Sequence, residues 1–289
     1  MSPRNLAFLI VLATSLFVFR TPLRALLHFS LRGDNLYDKY SYTLAIPFIT
    51  LALAFFERRK IFASARYSIF MGISLLLTSL ALNWAADEAL WQLGEDAAHS
   101  TRIFALVIFW LGGFVLCYGT RAFGEGTFPL SFLFLTVPIP DVLLDKPVTA
   151  VQYGSTAVCS SIFSLSGVPV LRNGFEFTLS TVSIQVAKEC SGIHSTLAIL
   201  IISLLAGHLY LRTAWKKIVL VLCALPIVCL TNGLRIAGLT LLAECISPRF
   251  LQGNLHHKGG MGFFVLALVL LFAVLRLLRN GPRPETLEV

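Results

Sequence analysis

Apolar and polar positions alternate along this chain in long blocks, and the blocks predict membrane-spanning helices. Seven apolar runs stand out, at 5–19, 41–56, 67–82, 103–119, 190–210, 218–236 and 261–278. Most approach the length of about 20 residues that carries a helix across a hydrocarbon core of about 30 Å. A further crossing comes from one of two runs, 127–145 or 148–166, which are separated by Pro138 and Pro140. Proline removes a backbone donor and interrupts a helix, so one run makes the fifth crossing and the other lies in the interface or packs inside the bundle. In the second run Val148, Val151, Val158, Ile162 and Leu165 share one helical face, with Thr149, Gln152, Thr156, Ser160 and Ser164 around the other side. Between 168 and 188 the period changes. Asn173-Gly174 is a two-residue turn signal, Phe175, Phe177 and Leu179 alternate with Glu176, Thr178 and Ser180, and Ile184 and Val186 alternate with Ser183 and Gln185.

The expected fold class is therefore an all-α polytopic membrane protein of about eight transmembrane helices, with a small extracytoplasmic β-hairpin at 168–188. Two regions follow from the pattern: 1–126, with four hydrophobic spans, and 127–289, with four further spans and the hairpin. The segment 5–19 is read as a retained first span, because Arg20 and Thr21-Pro22 follow it in place of a small-residue cleavage site.

Composition agrees with this outline. Among 289 residues, 56% are hydrophobic and 13% charged, and the mean hydropathy is +0.79, which excludes an ordinary soluble domain. The net charge of +8 calls for no nucleic acid, since the basic residues cluster in short connections where they orient spans. Arg4, Arg58-Arg59-Lys60, Arg121, Arg212, Lys216, Lys217, Arg276, Arg279 and Arg283 mark one side as cytoplasmic, together with both termini. Asp87, Glu88, Glu95 and Asp96 fall in a loop on the opposite side. Six cysteines lack CxxC spacing, so neither a zinc site nor a disulfide framework is indicated.

This outline puts three chemically complementary groups at one membrane face: Cys190 at the mouth of one span, Arg235 near the end of the next, and His256 before the last. Polar groups at membrane depth are costly and gather in the interior, where they pair with one another. A thiol at a helix N-terminus or beside a cation ionises readily. A neighbouring imidazole moves protons, and an arginine, never a base at ordinary pH, stabilises an oxyanion. Taken singly, each has a plainer reading: a buried structural thiol, an interfacial anchor and a solvated loop histidine.

The sequences Glu189-Cys190-Ser191-Gly192-Ile193, Asn232-Gly233-Leu234-Arg235-Ile236 and His256 four before Gly260 resemble the exosortase/archaeosortase family. Similarity extends upstream through Phe134 to Pro140 and Gly167-Val168-Pro169-Val170, covering roughly 127–278. The resemblance implies a membrane cysteine transpeptidase in which Cys190 is the nucleophile, Arg235 the transition-state stabiliser and His256 the acid/base. His256 stands eight before Phe264 as in the family, whereas adjacent His257 stands only three before Gly260. His194, one helical turn beyond Cys190, fits packing or substrate contact better. The implied partners are exported proteins that carry a short C-terminal motif of the PEP-CTERM type, a transmembrane helix and a basic tail. The implied location is the cytoplasmic membrane, with the site on the extracytoplasmic face and no metal or organic cofactor. Two other classes compete. A transporter would line its path with Glu189, Arg235 and His256, but the first-half spans carry no intramembrane charge and no internal repeat is evident. An assembly factor for exported polysaccharide or protein would need no chemistry at all.

Overall fold

In hydrocarbon every backbone N–H and C=O must find its partner within the chain, so uninterrupted apolar runs fold as helices. The computed structural model bears this out over the residues it describes, 2–31, 42–88, 94–187, 193–247 and 254–280. The chain forms two compact units, Met1–Leu144 and Asp145–Val289.

The first unit contains α1 (Pro3–Val18), α2 (Arg20–Leu31), α3 (Ala45–Phe56), α4 (Arg58–Ile61), α5 (Ile69–Glu88), α6 (Glu95–Glu125), α7 (Thr127–Phe132) and a 3-10 turn at Leu133–Thr136. Small residues let α5 and α6 pack backbone to backbone. A Cβ on Gly72 would fall 2.5 Å from Leu116, and one on Gly112 would fall 3.0 Å from Leu75. At Gly119 (φ 88°, ψ 171°) α6 kinks, so that the amide of Arg66 donates to the Tyr118 carbonyl at 2.9 Å. Two polar contacts tie α1 to α6: the Trp110 indole N–H donates to Ser15 Oγ at 2.9 Å, and Tyr118 OH to Asn5 Oδ1 at 3.0 Å.

The second unit contains most of α8 (Asp141–Ser166), then β1 (Leu171–Asn173), β2 (Glu176–Thr178), β3 (Ser183–Gln185), α9 (Ile193–Tyr210), α10 (Ala214–Cys245) and α11 (Asn254–Asn280). The expected hairpin is present, with Gly174 at φ 61° in its turn, and a third strand extends it. Phe177 pairs with Arg172 on one side and with Ile184 on the other. Its ring, with Leu179, Val182 and Val186, packs on Cys159 and Phe163 of α8 and on Ala237 and Ala243 of α10. A second core joins α9, α10 and α11 through Ile199, Leu220, Ala224, Val228, Ala267, Leu271 and Leu275.

Among the described residues, four helices are long and apolar enough to cross a membrane, and six if each of two bent helix pairs counts as one span. The two remaining segments of the expected eight, Ala45–Phe56 and Ser195–Tyr210, are apolar helices shorter than that length. Among the described residues, length and composition thus support four to six of the eight expected spans.

Candidate functional site

Arg235 is not at the end of its helix, as the polar residues around it suggest; α10 continues for ten residues beyond it, to Cys245. At 1.5 Å per residue, Arg235 lies about 32 Å along the axis from Ala214, close to the thickness of a hydrocarbon core. The helix persists because the polar residues before Arg235 are satisfied by α8 instead of by water. Asn232 Nδ2 donates to Ser155 Oγ at 3.1 Å, and the Cys159 thiol donates to the Gly233 carbonyl at 3.4 Å. Gly233 is needed for this approach, since a Cβ there would lie 2.6 Å from the Val158 side chain. On the other helix, Gly154 is held as closely against Cys229.

The same stripe of α8 also holds the chain that leads to Cys190. Gln152, itself buried, donates from Nε2 to the carbonyl of Val186 at 2.5 Å. Val186 is fully buried and stands four residues before Cys190. Below this sheet the edge is tied to α10, where the Glu244 carboxylate accepts from the backbone N–H and the hydroxyl of Thr181, the latter at 2.6 Å.

Three helices meet at Arg235. A small cavity of about 20 Å³ is lined by Ser195 of α9, by Thr231, Asn232 and Arg235 of α10, and by Gly260 and Phe264 of α11, among others. That is room for about one water molecule. The guanidinium lies against Gly260: a Cβ at that position would stand 3.6 Å from Nη1. Arg235 is half-buried, and among the described residues its guanidinium has no hydrogen-bond or ion-pair partner. A guanidinium without a counter-charge among the described residues is able to receive an anion.

Of the three residues singled out by sequence, Arg235 is fully described. His256 is described in its backbone, in the first turn of α11 and four residues before Gly260, with His257 beside it. Cys190 lies outside the described residues, three beyond Ala187 and three before Ile193. Neither Ser155 nor Gln152 is a candidate by sequence pattern, because an isolated serine or glutamine in an apolar run carries no chemical signature of its own. Among the described residues there is no cluster of His, Cys, Asp and Glu able to hold a metal ion.

The family described as transmembrane exosortase matches residues 35–273. No curated protein and no solved structure matches the chain.

Proposed function

The chain belongs to the transmembrane exosortase family, and from that premise we propose that it is a membrane-embedded cysteine transpeptidase or protease that removes C-terminal sorting signals of the PEP-CTERM type from exported proteins. The observation that carries this reading is the half-buried guanidinium of Arg235 against Gly260, in a cavity it shares with Ser195. Gly260 follows His256 by four residues and Ser195 follows Cys190 by five, so the flanks of both other proposed residues converge on the arginine.

The helical register of α11 favours His256 over His257. At about 100° per residue, position 256 falls about 30° from the centre of the stripe formed by Gly260, Phe263, Phe264 and Ala267, and position 257 about 70° away.

In the proposed reaction the Cys190 thiolate attacks the scissile carbonyl carbon, and the carbonyl π electrons move to oxygen. Arg235 stabilises that oxyanion. As it collapses, the C–N bond breaks, the His256 imidazolium protonates the departing amine, and the membrane tail leaves. A thioester now joins Cys190 to the upstream protein. An amine or water then attacks the thioester, gives its proton to His256 and releases the thiolate. An amine completes transpeptidation and water completes hydrolysis. In this reading the site opens on the extracytoplasmic face of the cytoplasmic membrane, both termini are cytoplasmic, and region 127–289 carries the catalytic residues.

The test is to trap the intermediate. A tagged protein with a C-terminal sorting signal, co-expressed with the enzyme, is expected to give a covalent adduct that hydroxylamine cleaves and that disappears in Cys190→Ala. A tail removed with equal efficiency by Cys190→Ala, with no such adduct in the parent, would overturn the proposal.

A further inference from the structure

Away from Arg235, at the end of the second unit where α9 and α11 finish, the helices leave a groove of about 630 Å³. Ile202 and Ala206 of α9 and Leu268, Leu271, Phe272 and Leu275 of α11 form its apolar walls. Tyr210, Arg276, Arg279 and Asn280 close one end. We propose that this groove is a binding site for an anionic phospholipid, with one acyl chain between α9 and α11 and the headgroup phosphate on Arg276 and Arg279.

Length and charge both point to this occupant. From Leu268 to Arg279 the groove follows α11 for about 16 Å, close to half of a hydrocarbon core of about 30 Å. It is therefore about one leaflet deep, with its polar end at headgroup level. Arg276 and Arg279 are exposed and pair with no carboxylate among the described residues. Neither 210–220 nor 271–280 contains an acidic residue. Arg212, Lys216 and Lys217 add positive charge where α9 gives way to α10, and Tyr210 supplies the amphipathic ring favoured at a membrane interface. Basic pockets between spans recognise anionic headgroups in this way, and planar guanidinium groups match phosphate oxygens bidentately.

The experiment uses the full chain, purified in detergent and stripped of lipid, with bound lipid counted by native mass spectrometry during titration with phosphatidylglycerol or phosphatidylcholine. The parent is expected to retain one phosphatidylglycerol in preference to phosphatidylcholine, and the preference should weaken with salt. Arg276→Gln with Arg279→Gln should weaken phosphatidylglycerol binding about thirtyfold, from about fivefold per arginine. Ala206→Phe, which fills the groove without altering charge, should weaken retention of the lipid as well, and it keeps the test decisive if the double variant fails to fold. Arg212→Gln, at the same face but outside the groove, should weaken retention far less than the double variant. Equal binding of the two lipids, or retention unaffected by Ala206→Phe, would overturn the proposal. So would a loss in Arg212→Gln as large as in the double variant, which would mean diffuse surface attraction.

Discussion

Arg235 and Asn232 stand one helical turn apart on α10, yet only one of them is used up by the fold. Asn232 is consumed by Ser155, while Arg235 keeps its guanidinium toward Gly260 with no partner among the described residues. A side chain committed to structure tolerates any replacement that keeps its bond, whereas one committed to transition-state charge does not. Arg235→Ala is expected to slow signal removal by about 10²–10³, and Arg235→Lys to recover little of it, because an ammonium lacks the planar fork of a guanidinium. Rates measured by gel mobility at matched abundance check both. A Lys variant with parental activity would reduce Arg235 to a generic positive charge. At this scale the identity of Arg235 as a candidate was legible in the sequence, from its residue type at membrane depth. Its position inside a continuous helix was not, because what sustains α10 past Asn232-Gly233 is a hydroxyl and a close backbone on another helix, 77 residues away in the case of Ser155.

The helix that supplies that hydroxyl shows why periodicity misleads inside a membrane. On α8 the residues that pack inward are Val148, Val151, Gln152, Ser155, Thr156, Cys159 and Phe163, while Leu165 is 88% exposed. The face assigned from sequence as polar thus supplies Gln152 and Thr156 to the interior. In water the apolar stripe turns inward; against lipid, apolar side chains are equally at ease outside, and polar side chains seek partners within the bundle. Gln152→Leu removes the donor from a buried carbonyl at Val186, a loss of about 1–3 kcal/mol. It is expected to lower the unfolding temperature and to slow processing at matched folded abundance, whereas the same change at exposed Ser161 should do neither. In the first unit the kink of α6 rests on Gly119, in a backbone region open essentially to glycine alone. A Cβ there would also fall 2.2 Å from the Arg66 carbonyl oxygen. Gly119→Ala is therefore expected to cost about 1–3 kcal/mol from backbone strain alone, seen as a lowered unfolding temperature. An unchanged temperature would mean that the α5–α6 pair readily rearranges. The hairpin at 171–178, by contrast, was readable from Asn173-Gly174 and the alternation around it. Its third strand falls where Ile184 and Val186 alternate with Ser183 and Gln185.

Across the whole molecule, hydrophobic length and composition sufficed to recognise a polytopic membrane protein, and the described residues support four to six of its eight expected spans. Among the described residues the expected segments appear as four helices of full length, two bent pairs and two shorter apolar helices. Whether a run bends or stops depends on prolines and on neighbouring helices, which a hydropathy profile does not register. The family match reaches back to residue 35, well before the motifs that suggest it, so it takes in the first unit from that residue onward. The central claim is that this molecule performs thiol-dependent removal of a C-terminal membrane anchor. It is tested most directly by the size of a co-expressed exported protein, tagged upstream of its C-terminal helix, in membranes holding either the parent or Cys190→Ala at equal abundance. The account predicts a shortened product with the parent and only the full-length protein with the variant. A shortened product of equal yield in both would contradict it.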